Sequence, residues 1–173
     1  DNICIAASDM SRDRTGALIV IERTTRLGDI MKTGVQLDAV ISQSLIKNIF
    51  FNKAALHDGA VIIRDNRIAA AGCFLPLTQN TQISKDKGTR HRAGVGVSEV
   101  SDAVVIIVSE ETGEISLAIG GSLLGGQNYT TLRQQLTQLI FGDTRRKGKR
   151  DRKEKKKRAA ETAPDGEGTQ DGT

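Results

Sequence analysis

With 173 residues, of which 38% are hydrophobic, the chain is long enough for one domain with a real core and too short for two comfortable ones. Five aromatic residues (four Phe, one Tyr and no Trp) are too few for a base-stacking platform on single-stranded nucleic acid. The net charge of +4 does not describe a basic domain: residues 1–142 hold 14 basic and 14 acidic residues, and residues 143–173 hold 11 and 7.

Cys4 and Cys73 stand far apart with no CxxC spacing, which fits small buried thiols in a reduced setting better than a disulfide or zinc framework. No run approaches the roughly 18 apolar residues that cross a bilayer. The chain opens on Asp1 without a signal-type stretch, so it reads as a fragment or processed form whose upstream region is out of view.

Ile3, Ile5, Ala6 and Met10 recur at helical spacing over 2–12. After Thr15-Gly16, the continuous apolar run Ala17 to Ile21 reads as a strand buried on both faces. A short helix or turn is expected over 28–33 and a short strand over 34–37. Ile41, Leu45, Ile46, Ile49 and Phe50 mark a helix over 42–51 with Ser42 as its cap.

Ala60 to Arg64 and Arg67 to Phe74 form a hairpin around Asp65-Asn66, two residues that tolerate the positive φ of a tight turn. Pro76 closes the return strand and opens a polar loop over 78–87. A helix follows within 88–100, where Gly94 and Gly96 imply close approach of other groups. Ala103 to Val108 is a second buried strand, turned by Thr112-Gly113 into a strand over 114–119. The glycine-rich stretch 120–126 is expected to be a flexible loop, and 129–141 an amphipathic closing helix.

Residues 143–173 are basic, then acidic, and nearly devoid of apolar side chains, so they read as a disordered tail. The expected fold is α/β, a mixed sheet covered by helices on both faces, with one domain over 1–142.

Three clusters carry possible chemistry. Leu56-His57-Asp58-Gly59-Ala60 places an imidazole and a carboxylate at the mouth of a buried strand, although Asp-Gly alone is an ordinary turn. Gly88-Thr89-Arg90-His91-Arg92 offers guanidinium forks and backbone amides at a helix start, suited to a polyphosphate; by itself it is also a common solvated basic face. Its three potentially cationic side chains repel one another unless an anion joins them. Ser109-Glu110-Glu111 puts adjacent carboxylates at a strand end, where they can hold a divalent cation or simply face solvent.

Together they supply carboxylates for metal, arginines for phosphate and glycines for close approach, each at a strand end or helix start. The chain has neither a P-loop nor a GxGxxG fingerprint.

Asp58-Gly59-Ala60 and Arg90-His91-Arg92, with the wider strings LHDGAVI, GTRHRAGVG and IIVSEETG, resemble the diadenylate cyclase (DAC) domain, closest to its membrane-tethered CdaA type. The resemblance runs from about Arg14 to Phe141; Phe74 departs from it where many relatives have Tyr, and the basic tail lies outside the pattern.

The resemblance implies a nucleotidyltransferase that condenses two ATP molecules into cyclic di-AMP and two pyrophosphates at a site formed by two face-to-face subunits. Carried onto this sequence, Asp58 helps activate the 3′-hydroxyl through a bound Mg or Mn ion, with His57, Glu110 or Glu111 completing the metal site. Gly59 and Ala60 line the ribose and phosphates. Thr89, Arg90, His91 and Arg92 bind polyphosphate and stabilise transferring charge. Ser109 touches phosphate, and Leu18, Phe74 and Leu75 enclose adenine.

The resemblance also implies transmembrane helices upstream, and thus the cytoplasmic face of the membrane for the full-length protein, this fragment being soluble. Regulatory partners of that type are a membrane regulator and phosphoglucosamine mutase. The tail, with 11 basic residues over 145–158, favours nucleic acid or anionic lipid electrostatically, an accessory property beside a neutral body and without specificity for nucleic acid. The competing expectation is a non-catalytic sensor of ATP or cyclic di-AMP on the same fold.

Overall fold

The computed structural model describes residues 1–80 and 87–142. Most of the expected polar loop and the expected disordered tail, 143–173, lie outside the described residues. The chain divides into a compact unit over Asp1–Leu136 and a second over Thr137–Thr173; the described part of the second, 137–142, is helical.

In chain order the elements are α1 (Asn2–Arg12), β1 (Ala17–Ile21), α2 (Gly28–Met31), β2 (Val35–Val40), α3 (Gln43–Phe50), β3 (Ala60–Arg64), β4 (Arg67–Cys73), α4 (Thr89–Val100), β5 (Val104–Val108), β6 (Ile115–Ile119) and β7 (Ser122–Gln127). A fifth helix, α5, occupies 129–142.

The strands form one seven-stranded sheet in the order β2-β4-β3-β1-β5-β6-β7. Only β1 and β3 pair in parallel, with Ile19 opposite Val61; β1 runs antiparallel to β5, with Ile19 opposite Ile106. The sheet is therefore mixed, as expected.

The central strands β1 and β5 are buried along their whole length, which is why their sequences are unbroken aliphatic runs. On one face, Leu18, Val20, Ile62, Val105 and Ile107 pack with Ala93, Val95 and Val97 of α4. Their neighbours Ile19, Ile106 and Leu117 are equally buried but point to the opposite face. There α1 packs against β5, β6 and α3, contributing Cys4, Ala6, Ala7 and Met10. Both cysteines are free and buried.

Local signals set several boundaries. Ser42 caps α3, its hydroxyl accepting from the Leu45 amide at 3.2 Å. Asp65 and Asn66 take φ of 48° and 60°, the conformation a two-residue hairpin needs. β2 runs longer than the expected 34–37, with a register shift between Gln36 and Ala39 and Asp38 at a φ of 47°.

One expectation is overturned. Residues 120–126 are not a flexible loop: Ser122–Gln127 form the edge strand β7, pairing with β6 through Ala118–Leu123 and Ile119–Ser122. Gly120 and Gly121, at φ of +53° and +79°, are the tight turn of this hairpin. Strand pairing is made by the backbone, so glycines at an exposed edge do not prevent it.

Candidate active site

The site forms where β3 begins, α4 begins and β5 ends. Gly59 enters β3 at a φ of +103°, and a Cβ there would lie 2.8 Å from the Cys73 carbonyl oxygen. Only glycine lets the chain press against β4 at this point and hold Asp58 at the strand mouth. Beside it, Nδ1 of His57 lies 2.6 Å from the Ala54 carbonyl oxygen. A carbonyl only accepts, so Nδ1 is the donor of this bond, and the neutral ring is held as its Nδ1–H tautomer.

α4 starts at Gly88 with no side-chain cap and no acidic residue in its first turn. Its free amides and dipole thus remain available to an anion. Thr89, Arg90 and His91 of that turn line the cleft.

His91 is almost wholly buried, and its Nε2 has no hydrogen-bond partner among the described residues. Burial, aided by Lys87 and opposed by Glu114 and Glu111, moves its pKa below the ordinary imidazole value. His91 is therefore neutral at pH 7, and the segment presents two cations rather than three. Of these, Arg92 turns away: it is exposed, and its Nη2 donates to the Thr78 carbonyl at 3.5 Å.

The third wall is the turn after β5. The Gly113 amide donates to the Ser109 carbonyl at 2.9 Å, and the Thr112 amide to Ser109 Oγ at 3.2 Å. Ser11 of α1 braces the turn from outside, its hydroxyl donating to the Gly113 carbonyl at 2.5 Å. From this turn Glu110 reaches back to Arg90, with Oε2 2.8 Å from Nη1.

These walls enclose an open cleft of about 680 Å³, within the size range of small-molecule sites. It brings together Leu18, His57, Asp58, Gly59, Phe74, Leu75, Thr89, Arg90, His91, Ser109, Glu110 and Glu111. Two expected contacts do not line it: Ala60 is fully buried within β3, and Arg92 holds Thr78 instead.

Phe74 is 66% exposed at the rim, so its ring is free to lie against a planar ligand. Sequence reasoning missed Asn52, Cys73, Leu77, Ala93 and Val108 in the lining. Ala93 follows the Arg-His-Arg segment, and Val108 ends the buried strand, so their placement was within reach; Asn52 carried no signal. The thiol of Cys73 is pushed up to about 11 by burial and stays protonated.

Among the described residues, no three His, Cys, Asp or Glu side chains converge as a ready-made metal cage. The donors present are nevertheless the right kind for a hard divalent cation. Asp58, Glu111 and His57 line one cleft. Mg²⁺ is ordinarily held by one or two carboxylates plus ligand phosphates rather than by an all-protein cage.

Fold and cleft define an α/β domain with an anion-ready site at its strand ends, of a size to take a nucleotide. The chain belongs to the family described as DAC, "DisA bacterial checkpoint controller nucleotide-binding", whose model matches residues 4–123. It is 49% identical over 140 residues to the cyclic di-AMP synthase CdaA of Bacillus subtilis, covering 81% of this chain and 51% of that protein. It is 53% identical over 114 residues to a diadenylate cyclase of Listeria monocytogenes, covering 66% and 42%. A solved structure of a double mutant of DacA from Staphylococcus aureus superposes with a TM-score of 0.79 at 46% identity, covering 81% of this chain and 93% of that one. The chain spans about half the length of the curated relatives it matches.

Proposed function

We propose that this chain is the catalytic domain of a diadenylate cyclase, condensing two ATP into cyclic di-AMP and two pyrophosphates. The observation that carries the reading is the convergence of Asp58, Arg90 and the uncapped start of α4 on one cleft of about 680 Å³. A carboxylate, a guanidinium and free helix amides lining one cleft are groups that phosphoryl chemistry uses.

In each half-reaction a 3′-hydroxyl oxygen bonds to the α-phosphorus of the other ATP. The bond from that phosphorus to the α–β bridging oxygen breaks, pyrophosphate departs, and the hydroxyl proton is lost. Asp58 accepts or directs that proton, while Arg90 and the amides of Thr89 and its neighbours hold the phosphates as charge shifts to the leaving group. Ser109 touches phosphate and Gly59 admits the ribose. Leu18, Phe74 and Leu75 enclose the adenine, the ring of Phe74 stacking without a hydroxyl. His91, buried and neutral, shapes the start of α4 rather than adding charge. Arg92 braces the segment at Thr78.

Asp58, His57 through Nε2, and Glu111 would hold a divalent Mg or Mn ion, with ligand phosphates completing the coordination. Such an ion supplies charge neutralisation at the phosphates and acidifies the attacking hydroxyl.

One cleft holds one ATP, and in-line attack needs a second nucleotide facing it. The reaction therefore belongs to two subunits in a two-fold pair, matching the symmetry of the product. No described helix is long and apolar enough to cross a membrane. Attachment to a membrane, a membrane regulator and phosphoglucosamine mutase are proposals for the longer protein.

The test is incubation of the purified chain with ATP and Mn²⁺ or Mg²⁺, followed by mass spectrometry. Cyclic di-AMP and pyrophosphate are expected; ATP binding without product would make the domain a sensor.

A further inference from the structure

The ion pair of Arg90 and Glu110 rests on Gly16, the residue before β1. A Cβ at Gly16 would stand 2.5 Å from Arg90 Nη1, 2.8 Å from Arg90 Cζ and 2.8 Å from Glu110 Oε2. The pair therefore lies directly on bare backbone, and any side chain there would lift the guanidinium. Glu110 in turn is carried by a turn fixed at both ends, through the Ser109 amide to the Glu114 carbonyl at 3.0 Å and the Ser11 hydroxyl to Gly113 at 2.5 Å.

A carboxylate beside an anion-binding arginine weakens the local positive potential, so its presence needs another return. Geometry supplies it. Arginine has a long, rotamer-rich side chain whose immobilisation is costly on binding. A fixed partner and a fixed floor hold the guanidinium in advance, and its remaining N–H donors make no other hydrogen bond among the described residues. The pair should add little to stability, since the Arg90 side chain is 24% and that of Glu110 62% exposed, and ion pairs open to solvent contribute little.

We infer that Glu110 and Gly16 are positioning residues for Arg90, aiming its guanidinium at the polyphosphate of the ligand, and that Glu110 is not a metal ligand. This rests on reading the cleft as an ATP site. Glu110 and Glu111, adjacent in sequence, thus divide the labour, with one engaging an arginine and the other facing the cleft's cation.

The experiment compares the full chain with Glu110→Gln, Gly16→Ala and the double variant. It measures ATP affinity by calorimetry, steady-state kinetics, the Mn²⁺ concentration for half-maximal activity, and thermal melting. Each single variant should raise Kd and KM for ATP by roughly tenfold, as expected for loss of an aligned charge-assisted hydrogen bond. kcat should fall less than KM rises, with melting temperature and Mn²⁺ midpoint unchanged. The double variant should be no worse than the poorer single one, because both act through Arg90.

Additive effects, an unchanged KM, or a raised Mn²⁺ midpoint in Glu110→Gln would overturn the inference. If the unaltered chain bound ATP yet made no cyclic di-AMP, the proposed reaction would fall while the affinity comparison still judged the positioning roles. Failure of the unaltered chain to bind ATP would overturn both.

Discussion

His57 donates from Nδ1 to the Ala54 carbonyl at 2.6 Å, and it lines the same cleft as its neighbour Asp58. In the neutral ring, the backbone thus selects the Nδ1–H tautomer.

Asp58→Asn keeps the size of the side chain and removes its charge. ATP affinity should change by less than about threefold, while turnover should fall on the order of 10² to 10⁴, the usual contribution of a positioned proton-transfer group. Calorimetry and product quantification on the same preparation separate the two. Complete loss of ATP binding would make Asp58 mainly structural.

A two-subunit reaction has a concentration signature. Turnover per subunit should fall in proportion to protein concentration once this drops below the dimer dissociation constant, at saturating ATP. A dilution series assayed for cyclic di-AMP checks this. Constant turnover per subunit at all dilutions would place the whole reaction within one chain.

How much of this was legible in the sequence depended on the kind of signal. Ala17–Ile21 and Val104–Val108 were readable because strands buried on both faces need unbroken aliphatic runs. Asp65-Asn66 announced its hairpin because few residues accept φ of 48° and 60°. The hairpin at Gly120-Gly121 was misread because glycine marks both tight turns and loose chain, and β7 offers almost no buried side chains to tell them apart. At the site, motif residues revealed which groups gather but not where each side chain points. Arg90 and Arg92 look equivalent in sequence, yet the 2.8 Å pair to Glu110 and the 3.5 Å bond to Thr78 send them to different places. The burial of His91 follows from the tertiary fold, and Glu114 and Glu111, distant in sequence, act on it, so its neutrality was out of reach.

Gly96 locks one wall of the cleft. A Cβ there would clash with the Pro76 carbonyl oxygen and would lie 2.7 Å from the Thr78 nitrogen and 2.9 Å from the Leu77 carbonyl carbon. All three are backbone atoms and cannot swing aside. Gly96→Ala should cost about 1–3 kcal/mol, the range for overpacking. It should lower the melting temperature by several degrees and raise KM for ATP, because Phe74 to Leu77 must shift. Gly28→Ala, with nothing within 4 Å of the added carbon, is the control and should be neutral or slightly stabilising. Equal melting temperatures for the two variants would show that segment 76–78 yields freely.

Asp102 ties the loop before β5 to the chain leaving β1, accepting from the Thr25 amide at 2.8 Å and the Thr24 amide at 3.1 Å. Partial burial alone would raise its pKa, but these donors prevail and hold the carboxyl at about 2, below its ordinary 3.8. A depressed folded-state pKa stabilises the fold when the group is ionised in both states. The contribution is therefore complete above about 3.8, declines below that, and is gone once pH falls through about 2. Discounted for solvent screening, it is on the order of 1 kcal/mol. Urea unfolding of the unaltered chain and of Asp102→Asn should thus differ by about that amount at pH 7 and converge towards pH 2. A difference that stayed constant between pH 5 and 2 would mean that the asparagine's altered hydrogen bonding, rather than the carboxylate charge, accounts for the loss.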